Sequence, residues 1–420
     1  MPMNTTQIFT LAFSAALLIN LIVKIWLNTR QNISVFSHRD AVPVDFAQAV
    51  SLEAHQKAAD YTLAKSQMAF WELVLDTLLL ISWTLLGGLT ELNKFIGFFI
   101  SDFITQEICL VVVFALVNGF FHLPLSLVQT FHLEEKFGFN KMTFGLWVSD
   151  LFKGIAVGSL LGLPFLWLIL KLMNVGGAYW WAIAWFSLVT YQLFVMWIAP
   201  NVIMPLFNKF TPLEDDLLKE KVTELMTRVG LSAKGFYVMD GSKRSAHSNA
   251  FFTGMGSNKR VVFFDTLLEQ LSLDEMEAVL AHELGHFKLR HIPKLMISSF
   301  LVSLVGLAVL GFLSGQTWFY AGLGVMPNLT APNDGLALIL FLEIVPLITF
   351  LFSPLTSARS RKFEFQADAF AKLHANPLSL KSALLKLYKD NSSTLTPDPL
   401  FVKFYHSHPP AAQRLAKLEA

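Results

Sequence analysis

Seven stretches of the 420-residue chain, at 7–27, 69–90, 97–119, 151–172, 178–199, 295–315 and 335–356, are each about 20 residues long and predominantly apolar. A backbone that leaves water for hydrocarbon has to satisfy every N–H and C=O internally. About 20 residues of α-helix reach across the roughly 30 Å of a bilayer core. The chain is therefore expected to be an all-α polytopic membrane protein with seven transmembrane helices. Composition points the same way: 54% of residues are hydrophobic and 15% charged, where soluble proteins carry about 25% charge. A formal net charge of +1 gives no electrostatic case for nucleic acid and leaves the lipid bilayer as the expected large partner. The single cysteine, Cys109, excludes an intramolecular disulfide and a cysteine zinc cluster, so a metal would be held by His, Glu or Asp. No basic residue precedes the first stretch and no small-x-small pattern follows it, which reads as a retained signal anchor. Glu72 and Asp76 in the second stretch and Glu343 in the seventh are expected to face a bundle interior or a wet cavity.

Four regions follow from this pattern. Residues 1–199 hold spans one to five with polar segments 28–68 and 120–150, and 200–294 is the largest hydrophilic region. Residues 295–356 hold spans six and seven, and 357–420 form a polar C-terminal region. Lys and Arg are absent before residue 7 and from 316–334, and they gather in 28–68, 120–150, 200–294 and 357–420. Alternating sides through seven spans puts every basic segment on one face, so the N-terminus is expected outside and the C-terminus in the cytoplasm, with Lys94 the exception. Helices are expected at 47–66, 213–229, 273–289, 363–374, 378–390 and after Pro410. The helix at 273–289 opens with Ser272 and Glu275 as a capping box. Short strands at 236–239 and 260–264 are expected to form a β-hairpin around a polar, glycine-containing turn. The chain shows no internal repeat and no low-complexity tract.

The stretch 282-HELGH-286 carries the chemistry. His282 and His286 are four apart on a helix, so both rings project from one face, a spacing that suits two tetrahedral positions of zinc. Glu283 then sits beside the open position, where it can take a proton from a water that zinc activates. The bland reading is a helix with two satisfied histidines. No third histidine follows closely. His291, five residues past His286, falls on a different face when counted as one helix and is expected at the surface. In 363-FEFQADAF-370, Glu364 and Asp368 are four apart and share a face. Glu364 can ligate a metal and Asp368 can hold the distal nitrogen of a ligating histidine; an ordinary acidic helix face is the alternative. The polar flanks of the motif helix, Asp274, Glu275 and Glu277 before it and Lys288, Arg290 and Lys294 after it, place it at a membrane boundary rather than in lipid.

Five stretches in this order, 131-FHLEEKFGFNKMT-143, 245-SAHSNAFFTG-254, 282-HELGH-286, 360-SRKFEFQADAFA-371 and 408-HPPAAQRL-415, resemble the Ste24 family of integral-membrane zinc metalloproteases, the type I CAAX prenyl proteases of the M48 class. The resemblance covers essentially the whole chain. It implies seven long helices around a large chamber, capped by a mostly helical cytoplasmic zinc-protease region. It implies one zinc ion held by His282, His286 and Glu364, with Glu283 as general base. Asn249 is implied beside the substrate backbone and His408 as the group that stabilises the oxyanion, with His406 a competing choice. Asp368 supports a ligand; Arg414 pairs with Asp368 or Glu364 or is simply solvated, and Arg361 has the same alternatives. Ala411 and Ala412, where the family often has a bulky residue after HPP, and a short loop between spans six and seven put substrate preference in question.

The function expected is a zinc-dependent membrane endopeptidase that cuts near the C-terminus of CAAX-type substrates, prenylated or not, or clears membrane or stalled proteins. The alternative is a transporter or lipid-handling protein with a structural zinc, which would be closed by four protein ligands. The protein is expected in the bacterial inner membrane, or in the endoplasmic reticulum membrane of a eukaryote, with its active site on the cytoplasmic side.

Overall fold

The computed structural model describes residues 3–231, 235–253 and 260–419. Its helices, in chain order, are α1 (Thr5–Ser37), α2 (Leu52–Trp83), α3 (Gly88–Phe99), α4 (Phe103–Val128), α5 (Phe144–Val175), α6 (Trp180–Ile198), α7 (Asp216–Arg228), α8 (Leu273–Lys288), α9 (His291–Leu313), α10 (Asp334–Thr349), α11 (Ser353–His374), α12 (Pro377–Asp390), α13 (Pro399–Tyr405) and α14 (Ala411–Glu419), besides short turns of helix. Six helices are long and apolar enough to cross a membrane, or seven if the bent pair α2 and α3 is one span, broken by 58°. The break falls at Gly87, which takes a positive φ, a conformation that costs a residue with a Cβ about 1 kcal/mol or more.

Two helices run from the membrane level into the polar region without interruption. The helix expected at 47–66 and the second span are one element, α2, because no Gly or Pro interrupts 52–83. Ser51 starts it, its side chain accepting the Ala54 N–H. The seventh span likewise continues through a 3-10 turn at Phe350–Phe352 into α11, a helical stretch of 41 residues, Asp334–His374. The same rod that is anchored among apolar helices therefore carries Glu364 to the site.

Packing is concentrated at the two ends of the molecule. One core joins α7, α8, α12, α14 and the sheet, through Leu218, Phe263, Leu280 and Leu284. The other, through Phe13, Leu110, Leu170 and Leu340, joins the ends of the spans farthest from the first core. Between them the spans separate. No residue of α5 before Ile169, none of α6 after Ala184 and none of α4 after Leu110 is buried.

The sheet has the order β1-β2-β4-β3, from β1 (Phe210–Pro212), β2 (Gly235–Met239), β3 (Ala250–Thr253) and β4 (Arg260–Phe264). The two strands expected as a hairpin are present but run parallel, with Phe236 opposite Val261. The hairpin is instead β3 with β4, antiparallel, Ala250 opposite Phe263. Val261, Val262 and Phe263 are all buried, and such a run has no period-two pattern to reveal its partner. Residues 254–259 of the expected turn, including Gly254, lie outside the described residues.

α8 begins with the expected capping box, Ser272 bonded to the Glu275 N–H and Glu275 to the Ser272 N–H. Gly285 sets how near it lies to α11: a Cβ there would meet the Ala367 Cα at 3.1 Å and the Phe370 Cβ at 3.1 Å. Gly285→Val forces the two helices apart and should cost about 1–3 kcal/mol of stability. Thermal melting and zinc titration of that variant should show a lower melting temperature together with at least tenfold weaker zinc binding.

Candidate metal centre and cleft

The α8–α11 contact brings three donor groups together. His282 Nε2 and His286 Nε2 are 3.2 Å apart; Glu364 places Oε2 3.4 Å from His282 Nε2 and Oε1 3.3 Å from His286 Nε2. Donors about 2.1 Å from a tetrahedral metal stand roughly 3.4 Å from one another. The spacing fits a zinc ion, and Glu364 Oε2 is a buried acceptor with no hydrogen-bond partner, as a ligand atom would be. Among the described residues, these three are the group of His, Cys, Asp and Glu side chains arranged to hold a metal.

Each histidine is fixed by its other nitrogen. Asp368 Oδ1 lies 2.8 Å from His282 Nδ1, so that nitrogen carries the hydrogen and Nε2 offers its lone pair to the centre. Asp368 is itself gripped by Arg414, whose Nε donates to Oδ2 at 2.9 Å and Nη2 to Oδ1 at 2.6 Å. Both side chains are buried, where a two-pronged charge-assisted pair is strong. Of the alternatives open to Arg414, the pair with Asp368 is the one present.

His291 supplies the second relay, and here the expectation of a surface residue is corrected: it is 1% exposed. Its Nδ1 lies 3.1 Å from His286 Nδ1 and its Nε2 2.9 Å from Gln366 Oε1. An amide oxygen only accepts, so His291 Nε2 carries the hydrogen and Nδ1 is bare. His286 Nδ1 then donates to it, and His286 Nε2 is left unprotonated toward the centre. Phe363 stacks on the His291 ring at 4.2 Å. Face counting from His286 failed because α8 stops at Lys288, Arg290 takes φ 55° and a new helix begins at His291. Gln366 sits between Glu364 and Asp368 on a neighbouring face, and only a partner on α9 gives it meaning.

A cleft of about 410 Å³ opens beside the centre, lined among others by Asn249, His282, Glu283, Glu364, His408 and Arg414. Burial raises the Glu283 pKa above the usual carboxylate range, which strengthens it as a base. Burial alone would lower the pKa of His282, but the carboxylates of Asp368 and Glu364 beside it outweigh that and raise it to about 9. Proton and metal therefore compete for this ring. His408 Nε2 lies 3.4 Å from Glu364 Oε1. Its ring opens onto the cleft instead of being packed, yet the surrounding protein disfavours its charge and lowers its pKa, so it is a neutral donor at neutral pH. His406 lines a neighbouring cavity. Among the described residues Arg361 pairs with no carboxylate; its Nη1 donates to the carbonyls of Val402 and His406 at 2.9 and 2.7 Å, which fixes the turn before His408. Asn249 Oδ1 accepts the Ala250 N–H at 2.8 Å, leaving its amide nitrogen as a donor beside β3. Tyr388 and Asn391 also line the cleft, and nothing in their local sequence marks them.

If the two relays set the tautomers, His291→Phe and Gln366→Leu should each weaken zinc binding about 10- to 100-fold in a chelator competition, with the fold retained by circular dichroism.

Two family models cover the chain: "CAAX prenyl protease N-terminal, five membrane helices" matches residues 31–209 and "Peptidase family M48" matches 212–420. CAAX prenyl protease 1 of Saccharomyces cerevisiae is 38% identical over 337 residues, 77% of this chain and 74% of that one. The CAAX prenyl protease 1 homolog of Homo sapiens is 34% identical over 465 aligned residues, 97% of this chain and 95% of that one. The crystal structure of S. mikatae Ste24p superposes with a TM-score of 0.91 at 32% identity, covering 98% of this chain and 99% of that one.

Proposed function

This chain belongs to the M48 peptidase family, as a multi-pass membrane zinc metalloendopeptidase, and we propose that it cuts CAAX-type substrates near their C-terminus. The observation that carries this reading is the three-donor centre open to a cleft that holds the Glu283 carboxylate and the His408 imidazole. A structural zinc would be closed by a fourth protein ligand, and among the described residues none joins His282, His286 and Glu364. Zinc bound there supplies a Lewis acid that activates a water and polarises the scissile carbonyl.

The chain's own residues then have distinct roles. Asp368 with Arg414, and His291 with Gln366, hold the two imidazoles with Nε2 toward the ion. Asn249 and the edge of β3 bind the substrate backbone as an added extended strand, since β3 pairs on one side only among the described residues. Glu283, its proton affinity raised by burial, takes the proton of the attacking water and delivers it to the leaving amine. His408, neutral, donates a hydrogen bond to the oxygen of the tetrahedral intermediate. The clustering of Lys and Arg supports a cap on the cytoplasmic side of the membrane. A substrate that carries a lipid leaves its hydrocarbon among the apolar faces of the spans, each buried methylene contributing about 0.8 kcal/mol.

In detergent, Glu283→Gln should keep about one zinc ion per chain and lose about 10²–10⁴ in turnover, measured with a quenched CAAX peptide. Undiminished cleavage removes Glu283 from this role. His408→Ala should lower kcat about 10²–10³-fold and change KM little.

A further inference from the structure

A second cavity, of about 610 Å³, adjoins the cleft and shares Tyr388, Asn391, Ser393 and His408 with it. It lies among the membrane-level parts of α1 and α2, yet Lys24 and Lys65 line it. No carboxylate stands within ion-pair distance of either lysine among the described residues. Lys24 Nζ rests over the Phe350 ring at 5.1 Å, and Lys65 Nζ over the Tyr61 ring at 5.1 Å. Asn28 Nδ2 donates to the Ser66 carbonyl at 3.1 Å, and Lys24 is one turn from Asn28, about 6 Å along the axis.

Lys65 belongs to the end of the cavity beside the cleft, while Lys24 lies one turn deeper, toward Glu72 and Asp76. Tyr61, under Lys65, reaches His247 at 3.5 Å, and His247 Nδ1 lies 3.0 Å from Asn391 Oδ1, which lines both spaces. Glu72 and Asp76 also line the cavity, about 10 and 16 Å farther along α2 from Lys65. Asp76 is 2.8 Å from His122 Nε2. Asp76 attracts Lys24 from a distance without pairing with it, and a lysine at the depth of Lys24 that lacks a paired anion is costly unless a ligand meets it.

We propose that this cavity binds the free C-terminal carboxylate of the peptide, with Lys65 and Lys24 as its cationic partners. The proposal rests on the peptidase reading above. A peptide bond placed at the metal centre of a CAAX-type substrate has three residues after it, which span about 10 Å in extended form. On this proposal the chain end passes His408, which lines both spaces, into the second cavity. The site would measure the distance from the scissile bond to the chain terminus, which explains how an endopeptidase cuts at a fixed distance from an end.

The test compares one CAAX peptide as free acid and as C-terminal amide, bound to full-length, zinc-loaded Glu283→Gln protein by fluorescence anisotropy. The acid should bind at least tenfold tighter. Adding Lys24→Gln and Lys65→Gln should remove that preference by weakening the acid alone, while Lys65→Arg in place of Lys65→Gln should keep most of it. Zinc content reports that each variant is folded. Equal binding of acid and amide, or a preference that survives loss of both lysines, overturns the proposal. Cleavage by the wild-type protein is a separate readout: absence of cleavage of any peptide overturns the peptidase reading, while the binding comparison still decides the carboxylate site.

Discussion

Where Gly285 lets the HELGH helix lie against Ala367, two imidazoles and a carboxylate converge at the distances a tetrahedral metal requires. The other features of the site lean on this approach. Asp368 reaches His282 only because α11 is this close to α8, and Gln366 reaches His291 only because α9 turns back over the same helix. A Gly between the two histidines is thus as much part of the metal site as the donors themselves. It adds no interaction; it removes the Cβ that would hold the helices apart.

The membrane domain and the cap share their framework. α2 and the rod of α10 and α11 each run through both, so the position of Glu364 is set by the same helix that packs in the distal core. With packing confined to the two ends, the spans leave room beneath the cleft, and polar side chains such as Lys24 and Lys65 are tolerated there because they line a cavity instead of facing lipid. A peptidase built this way can receive a substrate at membrane level and still keep its catalytic groups in a folded, buried frame.

Much of this was legible in the sequence, and the limits are physical. The spans could be read because hydrocarbon admits few structures besides a helix about 20 residues long. The meeting of Glu364 and Asp368 with His282 was one of two readings that spacings of four on two helices left open, and the one that the family resemblance implied. His291 was misplaced because the face count ran on past the helix end expected at residue 289, whereas Arg290 takes φ 55° and a new helix resets the count. The strand pairing was misread because parallel partners are joined through distant chain and a fully buried strand has no alternation. The continuity of α2 was hidden by the change from polar to apolar residues, which alters what the helix faces and not whether it is helical. Between His406 and His408, spacing gave no preference; of the two, His408 lines the cleft beside the three donors and His406 lines the neighbouring cavity.

The central claim is that three side chains hold the metal and a fourth position stays open to the cleft. Zinc K-edge X-ray absorption on the full-length protein tests it most directly, with and without a hydroxamate, a small chelating ligand. The account predicts two imidazole nitrogens and one carboxylate at about 2.0–2.2 Å, together with an exchangeable oxygen that the hydroxamate displaces. A fourth protein ligand, or a coordination sphere the hydroxamate leaves unchanged, would contradict it.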